Sequence, residues 1–197
     1  MSPTALVVMG VSGAGKTTVA GLLADRLSWP MAEADLLHPQ ANIDKMAAGT
    51  PLTDADRLPW LGIIRDWITV RAEQGESAVV ACSALKRGYR DLLREANARV
   101  RFVHVAGTRE LIAGRLHLRT GHFMPPSLLD SQFADLEQLQ DDEDGVTVDL
   151  RRTPEQPRPP TPDPFTSPFP RHHRPEGNGA SAWTPGLKRW APAPCWR

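Results

Sequence analysis

The octapeptide Gly10-Val11-Ser12-Gly13-Ala14-Gly15-Lys16-Thr17 constrains this chain more than any other feature. Its glycines let the backbone turn tightly enough for successive N–H groups to point at a single anion. In a loop of this spacing Lys16 brings a cation to the β- and γ-phosphates of a nucleotide, and Thr17 offers a hydroxyl to Mg²⁺. The flanks agree with that reading. Ala5–Gly10 is an apolar, strand-like run, and Lys16–Leu27 places Val19, Leu22, Leu23 and Leu27 on one helical face. A helix opening at Lys16 adds the positive end of its dipole to the same spot, with Thr18 continuing the cradle. A glycine-rich loop arising by chance would not be set between a strand and an amphipathic helix in this way.

The same alternation runs on to about Leu150. Ala5–Gly10, Met31–Ala34, Ser77–Cys82, Val100–Val105 and Val146–Leu150 read as strands, several of them continuous apolar runs suited to a sheet covered on both faces. Lys16–Leu27, Pro59–Glu73, Lys86–Asn97, Arg109–Arg119 and Ser127–Leu139 read as helices, with Pro59 suited to a first turn. Strand–helix alternation implies an α/β fold with a parallel sheet. With the phosphate loop after the first strand, the expected architecture is the P-loop NTPase fold, five parallel strands flanked by helices.

Composition bounds the rest. The chain has 197 residues, enough for one domain with a sizeable core, and 23 Lys+Arg balance 23 Asp+Glu. From Arg151 onward eight basic residues stand against three acidic ones, so the body before them carries a matching acidic surplus of five. An acidic body argues against nucleic acid as a partner. Cys82 and Cys195 have no metal-ligand spacing and ask for no oxidising compartment. With no export signal and no apolar stretch of membrane-spanning length, a soluble cytoplasmic protein is expected. Residues 1–152 are assigned to the phosphate-loop domain. Residues 153–197, rich in proline and without periodicity, are assigned to a disordered tail.

A phosphate loop alone does not say what becomes of the nucleotide, but the next segments narrow it. Asp35 follows the second strand, and a carboxylate at the carboxyl end of a parallel strand sits where such folds bind ligands. There it would orient an attacking hydroxyl; on this segment alone a helix-capping role is an equal alternative.

From this point the residues resemble the gluconokinases. The resemblance rests on Met9-Gly10-Val11-Ser12-Gly13, on Asp35 with Leu37-His38-Pro39, and on Asn42-Ile43 with Lys45-Met46. It continues through Gly49, Pro51-Leu52, Asp54, Asp56-Arg57, Pro59-Trp60-Leu61, Cys82-Ser83-Ala84-Leu85-Lys86 and Tyr89-Arg90-Asp91-Leu92-Leu93-Arg94. Arg115-Leu116, Arg119, Gly121-His122-Phe123, Gln132-Phe133 and Leu136-Glu137 close the match, which covers residues 5–150. It implies ATP-dependent phosphorylation of D-gluconate at its 6-hydroxyl by a homodimer.

A polyol carboxylate needs several hydrogen-bonding side chains and a fixed cation. Asp35, His38, Asn42, Lys45, Arg57, Ser83, Lys86 and Arg90 supply that chemistry at element ends, and the resemblance adds His122. Lys86 and Arg90, four apart, are expected to share a helix face and converge on an anion. Arg115 and Arg119 precede Gly121, the expected hinge of a small mobile lid, and the resemblance assigns both arginines to ATP phosphates. Lys16, Asp35 and Arg119 are thus the expected catalytic set, with Thr17 on the metal. Each of these residues taken singly also suits a surface ion pair or a cap; the order of the whole set favours a site.

Two departures stand out. Glu33 occupies the strand end where the resemblance leads one to expect an Asp in the Mg²⁺-water shell. After the last strand the chain turns Pro-rich at Thr153-Pro154-Glu155, where a closing helix is expected. Two other readings therefore stay open here. One is a related P-loop kinase for another polyhydroxy acid such as shikimate; the other is a nucleotide-binding protein without catalysis.

Overall fold

The structure, a computed structural model, describes residues 2–117 and 126–151. The expected lid, with Arg119, Gly121 and His122, and the Pro-rich tail lie outside the described residues. Five strands form one sheet: β1 (Thr4–Met9), β2 (Met31–Glu33), β3 (Ala78–Ala81), β4 (Arg99–Ala106) and β5 (Gly145–Asp149). Their order is β2-β3-β1-β4-β5, and every pairing is parallel. Between them run α1 (Lys16–Leu27), a 3-10 turn (Ala34–Leu37), α2 (Gln40–Ala47), α3 (Asp54–Glu73), α4 (Arg87–Arg94), α5 (Arg109–His117) and α6 (Pro126–Asp135).

The apolar runs explain the layout. Ala5 to Met9 are all buried, as are the four residues of β3, so neither strand has a solvent face and both take central places. β5, at the edge, leaves Val148 exposed. Because all strands run the same way, their carboxyl ends share one edge of the sheet. The loop after β1, the turn after β2 and the loop after β3 are gathered there. β1 is the switch point, with β3 on one side and β4 on the other, where open parallel sheets form their ligand crevice.

Strand positions agree with the sequence reading to within two residues; the helices differ more, and for identifiable reasons. α3 starts at Asp54 rather than Pro59, because Thr53 and Asp56 form a reciprocal capping box. Pro59 is then the sixth helical residue, where its missing N–H leaves one intrahelical bond unmade. α6 ends at Asp135 and not Leu139, since Glu137 N–H donates across to the Leu85 carbonyl at 2.9 Å. α4 likewise stops at Arg94. α2 has no counterpart among the expected helices: it is short and polar, and Asn42 is its buried residue.

One cluster underlies the crevice. Trp60, Leu61, Ile64 and Ile68 of α3 pack with Met9, Val80, Leu93 and Phe102. Burying each such side chain contributes about 1.5–3 kcal/mol. Trp60 also donates its indole N–H to the Ala34 carbonyl at 2.8 Å, fixing the turn that carries Asp35.

Candidate active site

The phosphate loop is held open by backbone. Gly10, Gly13 and Gly15 all have positive φ, and a side chain on Gly10 would meet the Val105 carbonyl at 2.7 Å. Gly10 N–H donates to the Ser83 carbonyl at 3.2 Å, tying the loop to the segment after β3. A Cβ on Gly13 would lie 2.7 Å from Leu116 Cγ, so α5 closes over the middle of the loop and only glycine leaves room there. Lys16 Nζ donates to the Val11 carbonyl at 3.2 Å and thus lies folded back over the loop. Gly15 caps α1 without a side-chain bond, so the first-turn N–H groups face the loop's interior with no intrahelical acceptor. Such a cradle fits polyphosphate. Ser12 is half-buried, Thr17 and Thr18 are exposed at the start of α1, and Arg115 is exposed on α5.

Glu33 ends β2 beside this loop. The Thr17 hydroxyl bonds its carboxylate, while its Oε1 is buried with no partner. Burial raises its pKa, and the nearby Asp35 charge adds to the rise against the pull of Thr17 and Lys16. A hydroxyl and an orphaned carboxylate oxygen are the hard oxygen donors that Mg²⁺ takes, usually with only one or two carboxylates and the rest from water and phosphate. The residues present therefore fit the ion.

Asp35 stands two residues on, exposed in the 3-10 turn and without an ion pair among the described residues. The Cys82 thiol, pushed up to about 12 by burial, is acted on by the charges of Asp35, Lys16 and Arg57 together. All three charges thus lie within electrostatic reach of the residue that follows β3.

On the acceptor side most charged groups are already engaged. Lys86 Nζ bonds Asp54 at 2.8 Å and lies 3.5 Å from Asp135 of α6. Arg57 is buried, donates Nε to the Leu52 carbonyl at 3.2 Å, and lies 3.6 Å from the other Asp135 oxygen. The Tyr89 hydroxyl makes a short bond to Asp54, and the cations of Arg57 and Lys86 lie 5.8 and 5.6 Å from its ring centre. His38 stacks on Trp60 with ring centres 4.0 Å apart, and burial lowers its pKa despite the charge of Asp35. Asn42 donates to the Asp56 carbonyl at 2.9 Å and contacts His38 Nδ1 at 3.3 Å. Lys45 pairs with Asp56, whose carboxyl it holds at about 2 with help from Thr53. Ser83 is half-buried after β3.

The expected convergence of Lys86 and Arg90 does not occur. Arg90 is fully buried. It grips Glu143 with Nε at 2.6 Å and Nη2 at 2.9 Å, and it also donates to the Leu85, Glu137 and Gln138 carbonyls at 3.0, 3.0 and 3.3 Å. Burial pushes the Glu143 carboxyl up, but the bonds from Arg90 and Gln140 outweigh it and leave the pKa lowered. Lys86 is the residue before α4, in extended backbone, and therefore leaves the helix face on which Arg90 lies. Arg90 acts instead on the turn that carries Lys86, where Ala84 adopts the left-handed conformation.

Four residues near the crevice were given no role by the sequence reading: Asp54, Tyr89, Gln132 and Asp135. Gln132 Oε1 accepts the Ser12 N–H at 2.7 Å. The pair Gln132-Phe133 was legible only as part of a resemblance, since nothing local to α6 points to a loop 120 residues earlier.

Comparison with known proteins identifies the family. The AAA domain family matches residues 6–140. A gluconokinase of Gluconobacter oxydans is 52% identical over 155 residues, covering 79% of this chain and 87% of that protein. An unliganded sugar kinase structure from a Janibacter species superposes with a TM-score of 0.74 at 52% identity, covering 78% of this chain and 88% of that one. A gluconokinase structure from Sinorhizobium meliloti gives 0.69 at 46% identity, over 77% and 85% of the two chains. With its phosphate loop, its Asp35 turn and this degree of identity along nearly the whole of its relatives, the chain belongs to the gluconokinase family.

Proposed function

We propose that this chain transfers the γ-phosphoryl group of ATP to the 6-hydroxyl of D-gluconate, giving 6-phospho-D-gluconate and ADP. The observation that carries the reading is a phosphate loop with Lys16 folded over it and the Asp35 turn following β2, in a chain 52% identical to a gluconokinase. The loop amides and Lys16 hold the phosphate chain. Asp35 accepts the hydrogen bond of the sugar hydroxyl and aims its oxygen at the γ-phosphorus. Positioning and charge neutralisation supply most of the acceleration in phosphoryl transfer, so Asp35 need not be a strong base. Lys86 and Arg57 receive the gluconate carboxylate in place of the Asp54 and Asp135 carboxylates they now hold. His38, Asn42, Lys45 and Ser83 line the polyol, and Arg90 supports the turn beneath it.

Thr17 and Glu33 would hold Mg²⁺, which would supply charge neutralisation to the phosphates when bound. By resemblance, Arg115 and Arg119 are assigned to the ATP phosphates, His122 to the substrate, and the active form to a homodimer; a cytoplasmic location is proposed from the sequence, and no described helix is long and apolar enough to cross a membrane. The kinase domain is placed at residues 1–152, with 153–197 as a separate tail.

The test is ADP release by purified protein with Mg²⁺-ATP, comparing gluconate, shikimate and no acceptor. Gluconate-dependent release with 6-phosphogluconate as product is expected. A folded, ATP-binding protein that neither acid stimulates would remove the proposal.

A further inference from the structure

The peptide group joining Val11 and Ser12 is held at both ends by side chains. Its carbonyl accepts from Lys16 Nζ at 3.2 Å, and its N–H donates to Gln132 Oε1 at 2.7 Å. Since the loop lysine serves the β- and γ-phosphates, this peptide marks the γ end of the cradle. Gln132 therefore stands where the group to be transferred will lie. One turn further along α6, Asp135 holds Lys86 and Arg57, the two acceptor-side cations. Residues three apart on a helix share a face, so Gln132 is set between the phosphate end and the acid end of the crevice.

The orientation of its amide is fixed by chemistry. The Ser12 N–H requires an acceptor, so Oε1 faces the loop and the Nε2 donors face elsewhere. Among the described residues no acceptor takes the Nε2 hydrogens. Gln132 is half-buried on α6, a helix packed against α5, which itself covers Gly13. A donor pair anchored through its own carbonyl to the phosphate loop is suited to an anion carried by that loop.

We infer that Gln132 is a further residue of the transfer reaction, fixing the Val11–Ser12 peptide through Oε1 and donating from Nε2 to the γ-phosphoryl group. The inference rests on the proposed kinase reading for its place in the reaction, but its contact with the γ-phosphoryl group is separable from the identity of the acceptor. ADP lacks that group, so Gln132 must distinguish a triphosphate from a diphosphate. It has no such task if it only braces the loop.

The experiment compares the wild-type chain with Gln132→Ala and Gln132→Glu, titrating each with ADP and with a non-hydrolysable ATP analogue, and measuring kcat and KM with gluconate. Gln132→Glu keeps an acceptor for Ser12 N–H and deletes the donors. In both variants ADP affinity is expected to stay within about twofold, while the analogue weakens about tenfold, the loss typical of one hydrogen bond to a charged group. Turnover is expected to fall about 10- to 100-fold, as for a lost transition-state donor. Equal weakening of ADP and analogue would show a brace and overturn the inference, as would Gln132→Glu retaining wild-type turnover. A wild-type protein inactive on gluconate but showing the analogue-selective loss would overturn the proposed reaction and sustain this assignment.

Discussion

The two ends of the crevice use different materials. At the nucleotide end, from Gly10 to Gly15, the working groups are backbone N–H dipoles, shaped by positive-φ glycines and tied to Ser83 and Gln132 by neutral hydrogen bonds rather than ion pairs. At the acceptor end the working groups are charged side chains, and Lys45, Arg57, Lys86 and Arg90 are each satisfied by a carboxylate of the chain itself. An incoming triphosphate meets donors waiting for it. In the proposed reaction a sugar acid would displace Asp54 and Asp135 from Lys86 and Arg57. The first end is preorganised; the second exchanges one carboxylate for another, which keeps two cations close together while no substrate is bound.

Within the acceptor end a second contrast sharpens the point. Lys86 is 28% exposed in its side chain and its partners lie at the surface, whereas the Arg90–Glu143 pair is wholly buried. A partly exposed pair can exchange partners cheaply, but a buried one cannot, because a charge left alone in the interior keeps its full desolvation penalty. Lys86 is accordingly the cation free to change partners, the property the proposed substrate role needs, and Arg90 is the fixed one.

The largest effect expected from breaking this contrast lies at the nucleotide end. Lys16→Ala should lower turnover by on the order of 10³ to 10⁵, the range for a cation acting on the transferring phosphoryl group. Titration with an ATP analogue and a single-turnover assay would check it. Asp35→Ala should cost on the order of 10² to 10⁴ in kcat with analogue binding retained. Near-normal turnover in that variant would remove the residue from the mechanism.

Arg90→Met should act on folding rather than recognition. Leaving Glu143 unpaired is expected to cost about 3–5 kcal/mol, read as a lower denaturant midpoint. Lys86→Met should do the reverse, raising the gluconate KM about tenfold at unchanged ATP KM and nearly unchanged stability. If the two variants exchanged phenotypes, the assignment of exposed and buried cations would be inverted.

The smallest effect concerns Glu33. Burial raises its folded pKa above the unfolded value, so within that window the folded chain keeps a proton that the unfolded chain has released. This group's contribution to stability is therefore present below the unfolded pKa and declines as pH rises through the folded one. Metal-free Glu33→Gln should lose less stability than wild type as pH rises above the ordinary carboxylate range, while requiring more Mg²⁺ for turnover. Parallel melting curves for the two proteins would exclude the assignment.

Much of this was readable along the chain. The phosphate loop, the five strands and the start of α1 follow from patterns local to a few residues, because glycine conformational freedom and unbroken apolar runs act over that distance. The edges of α3 and α6 were harder. Asp54 lies before any apolar periodicity, and α6 stops because Glu137 bonds a carbonyl 52 positions away in sequence rather than continuing its turn.

The sequence by itself determined that a parallel sheet would present a phosphate loop and a carboxylate at one edge, since strand direction and loop chemistry are both set locally. Only the tertiary structure decided which cation stays partly exposed, which is sealed with Glu143, and that Gln132 reaches Ser12. Those outcomes depend on which groups lose their water on folding and which partners lie within hydrogen-bond distance. Neither quantity is carried by spacing along the chain.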